Sequence, residues 1–138
     1  MAGTFNLQIV TPEREIFNGQ VESVSLPGVD GSFGVLRSHS PLIAALEPGQ
    51  VTIVDDQAHE VIMAIGGGFF QVADNVAMVL ADSAEAAGEI DVARARESEQ
   101  RARSRLAGQM DAEYELQRER AETALKRAQA RLRIATRR

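Results

Sequence analysis

Two periodicities meet near residue 88, and that meeting constrains the fold more than anything else in the chain. Upstream, apolar residues alternate. "TFNLQIV" sets Phe5, Leu7 and Ile9 on one face and Asn6 and Gln8 on the other, the period-two signature of a half-buried strand. Downstream, from Ile90 to Leu106, there is no Gly or Pro, and Ala, Arg and Glu dominate, all strong helix formers. A chain that changes period once is built from a β part followed by an α part.

Turn signals subdivide the β part. "TPERE" reads as a turn, Asn18-Gly19 as another, and Pro27-Gly28 closes the run "VESVSLPG". "VDGSFGVL" turns into a short strand. "GQVTIVDDQAHEVIMAIGG" reads as a hairpin with Asp55 and Asp56 near its tip. "GFFQVADNVAMVLAD" reads as a second hairpin turning near Asp74-Asn75. An antiparallel sandwich or barrel follows. Gly108 suggests a break after the first helix. A second helix is expected from about Ala112 to Ile134, with Ala121, Ala124, Leu125, Ala128, Leu132 and Ala135 as its apolar stripe. The short connection makes the helices an antiparallel hairpin. The expected class is α+β: an N-terminal antiparallel β-sandwich over residues 1–87, then a two-helix hairpin over 88–138. Its Ala-rich interface predicts weak docking, because an Ala methyl gains roughly 0.8 kcal/mol on burial against about 1.5–3 for Leu.

Charge divides at the same place. Residues 1–88 hold two basic residues, Arg14 and Arg37, against eleven acids, whereas residues 89–138 hold thirteen against nine. Such asymmetry suggests modules with different partners. The absence of cysteine excludes disulfides and thiolate metal sites. His39 and His59, the two histidines, have no ligand spacing, so no metal is expected. Gly66–Gly68 lacks the following Lys and Ser or Thr of a phosphate loop and is read as a strand bend or a close backbone approach. No catalytic constellation emerges. Acids interleave the basic helices and Tyr114 is the sole aromatic there, so no nucleic-acid partner is expected. "MAGTFNLQIV" lacks the features of a signal peptide, and "VIMAIGGGFF" is too short and too Gly-rich to span a bilayer. The expectation is a soluble, cytoplasmic chain without membrane insertion.

Several segments in order carry a family resemblance: "LQIVTPEREIFNGQVESVSLPGVDGSFGVLRSHSPLIAALEPG", "AIGGGFFQV", "NVAMVLADSAE" and "IDVARA". Gly31, Gly34, His39, Pro41 and Leu42 match a GxxGxxxxHxPL pattern. Over essentially its whole length the chain resembles the epsilon subunit of the bacterial rotary (F-type) ATP synthase. The resemblance implies a non-catalytic central-stalk subunit, peripheral on the cytoplasmic face of the bacterial cell membrane. Its implied partners are gamma, the c-ring, and the alpha and beta subunits. Ser32, Arg37 and His39 are the implied contacts near the c-ring or gamma, Ser32 standing where many relatives carry an acid. The implied hairpin either folds down or extends along gamma and blocks ATP hydrolysis. The basic residues Arg118, Arg120, Lys126, Arg127, Arg131, Arg133, Arg137 and Arg138 would then meet an acidic segment of beta.

The resemblance also implies a regulatory ligand, with no other cofactor. "IDVARA" is similar to an Ile/Leu-Asp-x-x-Arg-Ala motif through which some family members bind ATP at the folded hairpin. Ile90, Asp91, Arg94 and Ala95 match it, and Glu85, Arg101, Arg127 and Arg131 complete the implied site. The chemistry is apt, since guanidinium groups pair with phosphate oxygens and carboxylates accept from ribose hydroxyls or an amino group. A plainer reading stands beside it, in which Asp91 caps a helix and Arg94 pairs with it on one face. A purely structural stalk subunit and, from another class, a small nucleotide hydrolase are the alternatives.

Overall fold

The computed structural model describes residues 3–108 and 114–135, without the side chains of residues 107, 108 and 114–118. Seven strands, β1 (Phe5–Val10), β2 (Glu15–Gly28), β3 (Gly31–Leu36), β4 (Leu42–Asp55), β5 (Glu60–Ala73), β6 (Val76–Ala81) and β7 (Ala84–Ala86), precede a 3-10 turn at Ala87–Glu89. Two helices follow, α1 (Val92–Gly108) and α2 (Tyr114–Ala135). Ala112, expected at the start of the second helix, and Arg137 and Arg138 lie outside the described residues.

The sheet runs β1-β6-β5-β4-β2-β3, and β1 also pairs with β2, so five strands close on themselves. Most pairings are antiparallel, as alternation and turn signals lead one to expect. The seam is not: β1 runs parallel to β6, from Asn6↔Val76 to Val10↔Leu80. Asn18-Gly19 is not a turn either. Both residues sit inside β2, opposite Gln8 and Leu7 of β1, where a full ladder overrides local preference.

Three strands of 14 residues each, β2, β4 and β5, bend and serve both layers. β5 pairs with β7 through Met63–Ile65 and with β6 from Gly68 onward. The change of partner falls on Gly66–Gly68, where Gly67 and Gly68 have φ of 102° and 146°. Only glycine adopts these angles readily, and a Cβ on Gly68 would collide with the Leu80 carbonyl. The triple glycine is thus the bend and close approach that its composition suggested. The matching bend in β4 carries Pro48 and Gly49, beside a break in the β2–β4 register between Ser25 and Gly28. That break lies where proline could not have donated to a ladder.

The turns expected at Asp55 and at Asp74-Asn75 are present. Asp74 and Asn75 have φ of 51° and 62°, the left-handed pair of a tight hairpin. Asp55 Oδ1 accepts the backbone N–H groups of Gln57 and His59 at 2.9 Å each. The His59 N–H is the main cause that holds this carboxyl below its ordinary range.

The main core fills the closed sheet, with Phe5, Leu7, Ile9, Val21, Val24, Val51, Ile53, Phe70 and Val79 among its members. A second, smaller core lies outside it, between β5 and α2. It comprises Ala64, Ile90, Ala130, Ile134 and Ala135, flanked by Ile62, Ala87 and Val92. Here the apolar stripe differs from expectation. Ala121, Ala128 and Ala135 are buried as anticipated, whereas Leu125 and Leu132 are only half-buried. Ala130 and Ile134 give α2 another buried face, toward the sheet. Helix α1 buries only Ala95 and Ala102 among its described side chains. Docking of the hairpin therefore rests on few apolar groups.

Candidate ligand site at the hairpin base

Asp91 is the residue before α1, and its Oδ1 accepts the Arg94 backbone N–H at 3.1 Å, while the Ala95 N–H bonds the Asp91 carbonyl at 3.0 Å. This is an N-cap, satisfying one of the donors a helix start leaves open. The capping half of the plainer reading of "IDVARA" is thus part of its structure, whereas the Arg94 side chain forms no pair with Asp91. Asp91 nevertheless also borders a cavity.

That cavity encloses about 360 Å³ and is lined by Glu85, Glu89, Asp91, Arg94, Ala95, Ser98, Arg101 and Arg131. Strand β7 contributes Glu85, the start and first turns of α1 contribute Asp91 through Arg101, and α2 contributes Arg131. Arg131 Nε donates to Glu85 Oε1, tying α2 to β7. Arg101 donates Nη2–H to Ser98 Oγ at 3.2 Å. The Arg94 guanidinium has no ion-pair partner among the described residues. The lining holds three carboxylates and three guanidinium groups, and Glu85–Arg131 is the ion pair formed among them.

Six of the eight residues assigned to the ligand by resemblance therefore meet here: Glu85, Asp91, Arg94, Ala95, Arg101 and Arg131. The other two do not line the cavity. Ile90 is buried in the small core under α2. Arg127 turns to the strand bend, where its Nε donates to the Gly66 carbonyl at 3.1 Å and its Nη2 lies 3.6 Å from Asp82 Oδ2. A side chain at Gly66 would crowd that guanidinium. Lys126 adds a tie to Glu47 of β4 at 3.7 Å. Glu89 and Ser98 line the cavity without having been singled out from sequence. Ser98 was accessible to that reasoning, since it lies four residues after Arg94 and three before Arg101, on one helical face.

The residues expected to face partners are more dispersed. Ser32 is the second residue of β3, whereas Arg37 and His39 follow its end. Four strand residues separate Ser32 from Arg37, so five steps or roughly 16 Å of extended chain lie between them. His39 Nδ1 lies 2.7 Å from the Ser40 carbonyl. The Ser38 N–H donates to Asn75 Oδ1 at 2.6 Å, which joins this loop to the β5–β6 turn. Arg120, Lys126 and Arg133 are exposed on α2, and the Arg118 side chain lies outside the description. Beside the His39 loop, Ile43 is 77% exposed and Phe69, Val76 and Leu80 are also open to solvent. Register places them on neighbouring strands as one apolar face.

A closed β sheet carrying a docked α-helical hairpin defines a two-module β-sandwich protein, and comparison with known proteins identifies its kind. Residues 4–87 match the ATP synthase delta/epsilon chain β-sandwich domain, and residues 89–136 match the delta/epsilon chain long α-helix domain. The chain belongs to the ATP synthase delta/epsilon chain family. The ATP synthase epsilon chain of Anaeromyxobacter sp. (strain K) is 50% identical over 131 residues, 95% of this chain and 97% of that one. The epsilon chain of Syntrophomonas wolfei is 40% identical over 132 residues, 96% and 94% of the two chains. In fold the chain is similar to a chain in the Euglena gracilis mitochondrial ATP synthase structure of OSCP, F1 and c-ring. The TM-score is 0.80 at 22% identity, over 94% of this chain and 80% of that one. These relatives are non-catalytic subunits of the complex, and the chain is non-catalytic with them. Among the described residues no helix is long and apolar enough to cross a membrane.

Proposed function

We propose that this central-stalk subunit senses ATP through its hairpin, and that the hairpin restrains ATP hydrolysis by the complex when it opens. One observation carries the reading: a cavity at the junction of β7, α1 and α2 is lined by guanidinium groups of both helices, two of them without an anionic partner among the described residues. A triphosphate there joins Arg94 and Arg101 of α1 to Arg131 of α2, while Glu85 and Asp91 accept from the nucleoside. The closed form alone offers all these groups, so ATP stabilises it by RT ln(1 + [L]/Kd), about 2.7 kcal/mol at a hundredfold excess over Kd. ATP is a ligand of this site and is not hydrolysed by it.

In the same reading the sandwich, residues 1–87, binds gamma and sits on the c-ring. Support comes from the assembly of F1 and c-ring that holds the Euglena neighbour. The apolar face of Ile43, Phe69, Val76 and Leu80 and the adjoining His39 loop supply a partner surface of the right chemistry. Opening the hairpin frees Lys126 and Arg127 from Glu47 and Asp82. It presents them, with Arg120 and Arg133, to an acidic segment of the catalytic head. The site of action is then the cytoplasmic face of the bacterial membrane.

The Asp91 cap favours a second reading, a plain stalk subunit whose "IDVARA" only starts a helix. Calorimetric titration of the full chain with ATP separates the two. Saturable heat is expected, weakened about ten- to hundredfold in Arg94→Ala and in Arg131→Ala, as for a lost charge-assisted bond. Absence of both heat and thermal shift would refute ATP sensing.

A further inference from the structure

We propose that Ser98, outside the set the resemblance implies, is a positioning residue that holds Arg101 over the phosphate end of the cavity. This rests on the nucleotide reading above. The cavity is polarised along α1. Glu89 and Asp91, which have no ion-pair partner among the described residues, stand at the helix start, and Arg101 lies ten residues beyond Asp91, roughly 15 Å along the axis. A polyanion is repelled from the acidic end, where the neutral, hydrogen-bonding nucleoside belongs. Its phosphates run past Arg94, and the last of them meets Arg101.

Ser98 is the positioning residue. Arg94, Ser98 and Arg101 share one helical face, and all three border the cavity. Arg101 is exposed, and its long side chain loses rotamer freedom when it grips a ligand. Its Nη2–H bond to Ser98 Oγ, at 3.2 Å, holds it over the cavity beforehand and lowers that cost. Serine is otherwise a poor choice mid-helix, where alanine is the better helix former. The two roles have opposite signs. Removing the hydroxyl favours the empty helix and disfavours the loaded one.

Titration of the full chain with ATP and with ADP, alongside thermal unfolding without nucleotide, tests this. In Ser98→Ala, ATP affinity is expected to fall about three- to tenfold, the worth of one modest hydrogen bond, with ADP affinity unchanged within about twofold. Nucleotide-free stability should be equal or higher. Ser98→Thr, which keeps the hydroxyl, restores ATP affinity, and in an Arg101→Ala background Ser98→Ala has no added effect. If the wild-type chain binds ATP and Ser98→Ala binds ATP as well as wild type, or loses ATP and ADP affinity equally, the assignment of Ser98 is overturned alone. If the wild-type chain binds no ATP, the assignment falls together with the nucleotide reading.

Discussion

Truncating Ile134 to alanine should undock the hairpin and leave the closed sheet intact. Ile134 is fully buried, and the patch that fastens α2 to β5 holds two isoleucines and three alanines. At about 1.5–3 kcal/mol per buried isoleucine and roughly 0.8 per alanine, its gross cohesion is roughly 5–8 kcal/mol, before ordering costs. Ile134→Ala removes three carbons, about 2.4 kcal/mol of transfer free energy, and the cavity left behind raises the loss to about 2.5–4 kcal/mol. That is close to half the patch, and it shifts the docked-to-undocked ratio roughly a hundred- to a thousandfold. Native-state hydrogen exchange reads this element by element. Amides of α1 and α2 should lose about two to three decades of protection while those of β1 and β6 keep theirs. ATP affinity should fall as the closed fraction falls. Equal loss of protection in β1 and β6, or unaltered helices, would show that the hairpin and sheet form one cooperative unit.

Two further outcomes follow from the same architecture. A chain ending at Ala87 should keep its strand circular dichroism and its binding to gamma, although Ala64 loses the cover of α2; an insoluble or gamma-blind fragment would contradict this division. At Asp91, Asn preserves a capping oxygen and Ala does not. Asp91→Ala should therefore cost the helix about 1 kcal/mol and Asp91→Asn much less, while both weaken ATP binding if the carboxylate reads the nucleoside. Calorimetry that finds wild-type ATP affinity in Asp91→Asn would leave the residue as a cap only.

Local physics made much of this legible in the sequence. Alternation in Phe5–Ile9 marked β1 with its faces correctly assigned, and left-handed turn residues at Asp74-Asn75 marked the β5–β6 hairpin. The absence of Gly and Pro after Ile90 marked α1. What stayed hidden depends on partners distant in sequence. Asn18-Gly19 is a strong turn signal overridden by pairing with Leu7 and Gln8. The parallel seam between β1 and β6 leaves no local trace at all. In the cavity, the family resemblance named Glu85, Asp91, Arg94 and Arg101, which lie on or beside one helix, and Arg131 from the other, and the structure brings them together. The same resemblance named Arg127, which shares a helical face with Arg131. Its destination is fixed instead by a bare carbonyl at Gly66, 61 residues earlier, exposed by a strand bend.

The parallel seam has a consequence for synthesis. Antiparallel neighbours such as β4 and β5 meet across a five-residue turn and can pair as soon as both have emerged. β1 cannot complete its second edge until Val76–Leu80 exists, some seventy residues later. Until then one side of β1 is an open row of amides and carbonyls, a template for wrong pairing. Loop-closure entropy over that separation makes the seam the slow, late step of folding. On a ribosome the barrel therefore shuts only once Val76–Leu80 has emerged. The helices then arrive at a surface that has just been finished, and the order of manufacture matches the order in which the hairpin needs its platform.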